Sequence, residues 1–395
     1  MYYSFDDFRV DAGKRELRRG ESMVNIEPQV FDLLVYLIEN RQRVVSKDEI
    51  LDAVWNGRAV SESALTSRIN AARHAIGDTG ARQGMIRTSA RKGYRFVGIL
   101  RGNDEEGAKP LEPRRASLRH EVRFCSAADG PTIAMADVGQ GPPVVKAGNW
   151  LNHLEYDWES PVWSHLLHWF ANRHRLVRYD ARGNGLSDWD VGEVTLDSFV
   201  TDLEAVVDSR GLETFTLFGV SQGCAVSIAY AVKHPERVNK LVLYGGFALG
   251  RRMRGSDIDA AQAEAMLTLM KTGWGQENPA FRQIFTSLFI PGATPEQMNW
   301  FNNLQRITTS AENAVKMRLI SDHMNIVHLL PQVKAPTLVL HCKDDAVQPF
   351  AEGRRIAAGI PGARFVLLEG RNHLILENDP GWPRFQQEVE AFLAG

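Results

Sequence analysis

Apolar and polar positions change period several times along the chain. In the first hundred residues, Tyr2–Phe5, Phe8–Val10 and Glu16–Gly20 alternate in short runs broken by Asp-Ala-Gly and Arg-Gly-Glu turns, which predicts a small antiparallel sheet. After the helix start Glu27-Pro28, Val30, Phe31, Leu33, Leu34, Leu37 and Ile38 recur at helical spacing. Ser46-Lys47-Asp48-Glu49 is a capping box opening a second helix, with Ile50, Leu51, Val54 and Trp55 on its inner face. A third helix opens at Val60–Ala64. Its buried stripe is Leu65, Ile69, Ala72 and Ile76, which leaves Ser63, Thr66, Ser67, Asn70 and Arg73 on or near an outward polar face. Two strands, Met85–Ser89 and Gly93–Val97, flank a basic tip at Ala90-Arg91-Lys92.

Residues 101–118 carry Gly, Pro and charge with no apolar period, and read as a linker. From Glu121 onward β-rich and helix-periodic segments alternate: strands at Val122, Thr132, Pro143, Arg175, Phe215, Leu241, Thr337 and Phe365, with helices near Val162–Arg173 and Phe199–Ser209. Such alternation predicts a mostly parallel sheet covered by helices on both faces, with its active groups in loops at the carboxyl ends of the strands. The expected organisation is a domain over 1–100, the linker over 101–118 and a second domain over 119–395.

The chemistry centres on Phe215-Thr-Leu-Phe-Gly-Val-Ser221-Gln-Gly-Cys-Ala, which reads as strand, sharp turn and helix. Small residues at Gly219 and Gly223 let the two backbones approach, and the turn holds the Ser221 hydroxyl clear of the sheet beside a helix N-terminus. A nucleophilic serine needs a base, and the base an orienting carboxylate. The loop after the next-to-last strand is His341-Cys-Lys-Asp344-Asp345-Ala-Val-Gln-Pro349, and the one after the last is Glu369-Gly-Arg-Asn-His373.

Two resemblances organise these readings. Sheet, three helices and the Gly-Tyr-Arg-Phe hairpin, with the helix starts at Ser46 and Ser61, resemble the winged-helix DNA-binding domain of OmpR/PhoB-type response regulators. The resemblance implies that the third helix enters the major groove of a double-stranded operator while Arg91 and Lys92 reach phosphates or the minor groove. In that family a receiver domain normally precedes the winged helix, whereas here the winged helix begins at Met1.

Gly219-Val-Ser-Gln-Gly223 and Asp180-Ala-Arg-Gly-Asn-Gly-Leu-Ser-Asp188 make residues 119–395 resemble an α/β-hydrolase. The resemblance implies Ser221 as nucleophile, Asp345 as acid with Asp344 as its rival, and His373 as base. Asp180 and Arg182 then organise a loop. Oxyanion donors would be the backbone N–H of Gln222 and that of Asn149 or Trp150, where the family commonly carries His-Gly and this chain reads Lys146-Ala-Gly-Asn-Trp150. The insertion at about 248–332 would be a helical cap, and Asn152, His153, Trp274 and Phe285 are candidate substrate contacts. The fold class expected is therefore α/β, an N-terminal winged helix-turn-helix (α+β) followed by an α/β-hydrolase domain with a helical cap.

Composition adds limits. Residues 1–100 hold 16 Lys and Arg against 13 Asp and Glu, while the whole chain carries a net charge of −2, so the excess of positive charge sits in the first domain. Cys125, Cys224 and Cys342 are scattered, arguing against both a disulfide framework and a zinc site. No basic leader or long apolar run is present, and the expectation is a cytoplasmic protein with no cofactor or metal and no membrane partner. The function expected is a transcription regulator, a homodimer by its half-site logic, whose second domain binds or hydrolyses a small ester, lactone or acyl-type ligand. The alternative is a serine hydrolase (esterase, lactonase, carbon–carbon hydrolase or haloperoxidase-like) with an accessory DNA-binding domain. Epoxide hydrolase and dehalogenase chemistry is disfavoured, because those relatives place aspartate where this chain has Ser221.

Overall fold

A computed structural model describes residues 2–20, 22–41, 43–55, 62–79, 83–89, 92–98, 100–101, 120–276 and 280–395. The linker expected over 101–118 therefore lies, except for Arg101, outside the described residues. Contacts divide the chain into two units, Met1–Arg114 and Arg115–Gly395.

The first unit opens with an antiparallel meander, β1 (Tyr2–Phe5), β2 (Phe8–Asp11), β3 (Glu16–Arg19) and β4 (Ser22–Val24). Helices α1 (Pro28–Glu39), α2 (Lys47–Trp55) and α3 (Glu62–Ala75) follow, then the hairpin β5 (Ile86–Ser89) and β6 (Gly93–Phe96). The last strand, β7 (Leu100–Arg101), returns to pair with β1, so Arg101 belongs to the sheet rather than to the linker. The capping box forms as read: Ser46 N–H donates to Glu49 Oε2 at 2.8 Å, and Glu49 N–H to Ser46 Oγ at 3.2 Å. Glycine is required at position 93, where a Cβ would stand 1.9 Å from the Val45 carbonyl oxygen. That close approach lets Val45 and Tyr94 exchange two backbone hydrogen bonds and ties the hairpin to the start of α2.

The second unit is built on an eight-stranded sheet. Its strands are β8 (Val122–Ser126), β9 (Thr132–Val138), β10 (Pro143–Lys146), β11 (Arg175–Tyr179), β12 (Phe215–Val220), β13 (Val238–Tyr244), β14 (Thr337–Cys342) and β15 (Arg364–Leu368), in the order β15-β14-β13-β12-β10-β11-β9-β8. The strands from β10 through β15 run parallel, and β9 and β8 close one edge antiparallel. Period-two alternation splits the core into two layers. Val145, Leu217, Leu241 and Leu243 face α6 (Leu196–Ser209), α7 (Gln222–Lys233) and α12 (Phe350–Gly359). Val144, Phe218, Val242 and Tyr244 face α5 (Ser164–Ala171) and α13 (Trp382–Ala394). A short helix, α4 (Leu154–Trp158), precedes α5.

Between β13 and β14 lie α8 (Asp257–Gly273), α9 (Ala280–Phe289), α10 (Pro295–Thr308) and α11 (Ala311–His323). This cap leaves and rejoins the sheet at one place: Ile326 N–H donates to the Ala248 carbonyl at 3.0 Å, Gly250 N–H to that of Met324 at 2.8 Å, and Leu249 bridges Asn325. The order of connection reverses at β10, with β11 on one side and β12 on the other. In sheets of this kind the crevice at such a switch point holds the ligand.

Candidate active site and nucleic-acid interface

Ser221 sits between β12 and α7 with φ +53° and ψ −120°, a strained conformation for a residue with a side chain. The flanking glycines make the turn possible. A Cβ at Gly219 would meet Cys224 Cα at 2.8 Å, and one at Gly223 would stand 3.0 Å from the Gly148 carbonyl oxygen. The strained turn aims the Ser221 hydroxyl at the loops of β14 and β15.

Ser221 Oγ is 2.8 Å from His373 Nε2, and His373 Nδ1 is 2.7 Å from Asp345 Oδ2. Asp345 Oδ1 accepts the backbone N–H groups of Val347 at 2.8 Å and Gln348 at 3.0 Å. Burial alone would raise the Asp345 pKa; the charge of His373, its hydrogen bond and these loop contacts outweigh burial and hold the carboxyl below its ordinary value. With Asp345 ionised, His373 Nδ1–H donates to it, which leaves Nε2 as an acceptor for the serine proton. Asp344 is exposed and turned away, its N–H bonded to the Gly370 carbonyl.

Gln222 is the first residue of α7, so its N–H has no acceptor within the helix. The loop after β10 lies against that first turn, and two side chains hold it there. Lys146 Nζ donates to Asn149 Oδ1, and Asn149 Nδ2 donates to the Trp150 carbonyl at 3.0 Å. Behind it, burial drives the Lys146 pKa down and that of Asp157 up.

One of the four candidate substrate contacts, Asn152, is corrected. Asn152 is buried and spends its amide on the Tyr179 carbonyl, at 3.0 Å, and on Asp180 Oδ1, at 2.6 Å, so it braces the Asp180 loop. His153 caps α4, accepting the Tyr156 N–H at 3.3 Å. Asp180 and Arg182 are structural: Gly185 admits Asp180 Oδ2 where a Cβ would stand at 2.1 Å, and Arg182 is clamped between Asp129 and Asp202. Trp274 and Phe285 belong to an aromatic wall. Trp150 contacts Trp274 (6.0 Å between ring centroids), Phe285 (5.8 Å) and Phe289 (5.7 Å), and Phe289 meets the His373 ring edge-on at 5.3 Å. Three residues that sequence reasoning passed over now stand beside the site: Phe289, Asn372 next to the base, and His341, whose Nε2 lies 3.8 Å from Asp345 Oδ2. His341 and Asn372 lie in the two loop stretches that supply the acid and the base, but no local pattern assigns either of them a role, and Phe289 stands among the cap aromatics.

In the first unit Thr66, Ser67 and Asn70 of α3 are exposed, as is Lys92. The Ser63 side chain and Arg91 lie outside the described residues. Arg73 is a correction, for it is buried and turned inward, donating to the Ile86 carbonyl at 2.8 and 3.1 Å and to Thr88 Oγ1 at 2.8 Å. It fastens α3 to the hairpin. Arg87 and Arg95, not singled out from the sequence, stand directly opposite each other on the hairpin, both exposed. Like charges so placed repel and suit an anionic partner such as phosphate.

Comparison with known proteins finds relatives for each unit. Residues 20–96 match the family described as transcriptional regulatory protein, C terminal, and residues 158–381 match that described as serine aminopeptidase, S33. An AB hydrolase superfamily protein of Bacillus subtilis, YisY, is 26% identical over 255 residues, covering 61% of this chain and 88% of that protein. A 2-hydroxy-6-oxononadienedioate/2-hydroxy-6-oxononatrienedioate hydrolase of Paraburkholderia phymatum is 30% identical over 210 residues, 50% of this chain and 69% of its own length. At the N-terminal end, 54 residues (14% of this chain, 24% of the other) are 43% identical to YkoG, an uncharacterized transcriptional regulatory protein of Bacillus subtilis. Among solved structures, a bromoperoxidase from Bacillus anthracis superposes with TM-score 0.60 at 21% identity, covering 70% of this chain and all of its own, a likeness of fold.

Proposed function

Because this chain belongs to the α/β-hydrolase family and carries a DNA-binding regulator domain ahead of it, we propose that it is a one-component transcription regulator. On this reading residues 1–100 bind operator DNA as a homodimer, and the second domain binds and hydrolyses a small ester, lactone or other acyl-type metabolite. The observation that carries the reading is the unbroken hydrogen-bond chain from Ser221 Oγ through His373 to Asp345, at 2.8 and 2.7 Å.

In the proposed reaction His373 Nε2 takes the Ser221 proton as Oγ attacks the acyl carbon. The negative charge that develops on the carbonyl oxygen is met by the N–H of Gln222 and by that of Asn149 or Trp150. Protonated His373 gives its proton to the leaving group. Water, deprotonated by the same nitrogen, then releases the acid. Asp345 stays ionised and holds the Nδ1–H tautomer. The aromatic wall of Trp150, Trp274, Phe285 and Phe289 favours an apolar acyl or alcohol part. The hydrolase names of the relatives support the class of reaction and leave its substrate open. Regulation requires that the ligand bind DNA-competent and DNA-incompetent arrangements with different affinity.

The test is labelling of the purified protein with a fluorophosphonate, beside Ser221→Ala and His373→Ala. Labelling of the wild type alone supports an activated nucleophile. An unlabelled wild type that still binds DNA removes the hydrolase claim and leaves a ligand sensor.

A further inference from the structure

The three groups of the site are not carried by the same part of the molecule. Ser221 is held by the sheet and α7, its N–H on the Tyr244 carbonyl at 2.9 Å and its carbonyl accepting Cys224 N–H at 3.0 Å. The base is held by the cap. His373 N–H donates to the carbonyl of Phe289, the last residue of α9, at 2.8 Å. Its neighbour Asn372, buried, accepts the Gly292 N–H on Oδ1 at 2.7 Å and donates through Nδ2 to Asp379 Oδ1 at 2.7 Å. Asp379 in turn accepts the Leu376 N–H, at 2.8 Å, so the loop around His373 is closed on itself and latched to the turn between α9 and α10.

The acid has a matching contact. Arg251, where the chain enters the cap, donates to the Val347 carbonyl at 3.0 Å and to Gln262 of α8 at 2.9 Å. Val347 is one of the two residues whose N–H groups hold Asp345 Oδ1.

We propose that Asn372 and Arg251 are positioning residues through which the cap sets His373 and Asp345 against Ser221. This rests on the reading that the three groups form a catalytic set. Its physical basis is that a shift of the α9–α10 turn moves Nε2 relative to an Oγ anchored in the sheet. A displacement of about 1 Å at a reacting atom costs up to about a hundredfold in rate.

The experiment uses the full-length protein with p-nitrophenyl butyrate as probe and compares wild type, Asn372→Ala, Arg251→Ala and Arg251→Lys. Two readouts are taken: kcat separately from KM, and amide hydrogen exchange of the segments 286–293 and 370–376. The expected result for Asn372→Ala is a kcat lower by about tenfold or more at a KM within about twofold, with exchange accelerated in both segments together. Arg251→Ala lowers kcat in the same way, and Arg251→Lys, which keeps a donor for Val347, recovers most of it. Exchange in the two segments unmoved by Asn372→Ala, or moved with kcat intact, overturns the proposal. If Asn372→Ala fails to fold, the Arg251 pair decides by kcat. A wild type that neither turns over the probe nor takes the fluorophosphonate label refutes the hydrolase reading, and without turnover the exchange data still decide whether Asn372 latches the base to the cap.

Discussion

Replacing Asp345 by Asn changes one atom and reverses one hydrogen bond. In the native loop Oδ1 accepts two backbone N–H groups and Oδ2 faces His373 Nδ1. An asparagine amide has one oxygen, and only one orientation keeps the loop intact: the oxygen must face Val347 and Gln348, because turning the NH₂ there would set it against two donors. The NH₂ therefore points at His373 Nδ1, which must give up its hydrogen and accept. The proton moves to Nε2, where it faces the Ser221 hydroxyl and blocks proton abstraction. The same substitution in a serine protease triad costs about 10⁴ in kcat, which corresponds to roughly 5.4 kcal/mol of lost transition-state stabilisation. The buried, doubly anchored Asp345 leaves no second orientation to soften the loss, so the expected fall lies near that size. Initial rates on p-nitrophenyl butyrate, with Asp344→Asn as control, read it directly. The control should match wild type, since Asp344 is exposed and clear of His373. A kcat for Asp345→Asn within about tenfold of wild type, in folded protein, would refute the assigned geometry.

Stability should fall as pH is lowered from about 6.5 toward 4. Burial, with the charge of Arg178 for His120 and that of His168 for His165, pushes both histidines down to about 4, whereas in the unfolded chain they titrate near 6.5. In that window the unfolded chain binds protons the fold refuses, so the contribution of the neutral histidines, fully present above about 6.5, is lost on acidification. Denaturant midpoints at pH 7 and pH 5 should separate, and less so in His165→Phe; an equal separation removes His165 from the account. In the first unit, Arg73→Ala should cost about 1.5–3 kcal/mol of stability by leaving the Ile86 carbonyl without its charged donor. Lys92→Ala should leave melting unchanged and reduce the salt slope of DNA binding by about one. Melting curves and salt titrations that assigned the two effects the other way round would reverse the roles.

What can be read from the sequence is what a short stretch of backbone dictates. Gly219 is demanded by contacts within its own turn and Gly223 by the approach of the Gly148 carbonyl, yet both fall in one five-residue pattern, so Ser221 announces itself locally, and Asp345 and His373 follow from their places after two recognisable strands. The cap shows as an insertion, and the capping box at Ser46 spans only four residues. Errors arise where a side chain finds a distant partner. Asn152 reads as a pocket residue because nothing near it in sequence shows that it meets Asp180, 28 residues away. Arg73 falls at the border of its helix's polar face, and only the position of Ile86 decides that its long side chain folds inward. Asn372 and Arg251 carry no local signal, since their partners Gly292 and Val347 lie 80 and 96 residues off.

The single point at which the cap leaves and rejoins the sheet bears on how such a chain can diversify. A segment whose two ends are hydrogen-bonded to each other closes almost no additional loop, so a helical insert of another length can be exchanged there at little entropic cost to the sheet. The ends at Ala248–Gly250 and Met324–Ile326 make this cap portable in that sense. Its interior does not, because the backbone of Phe289 and Gly292 is bonded to the loop that carries His373. A graft that brought a new ligand wall without an equivalent turn would retain the serine and misplace its base. Lineages built on this scaffold are therefore expected to vary the helices freely while keeping that one turn.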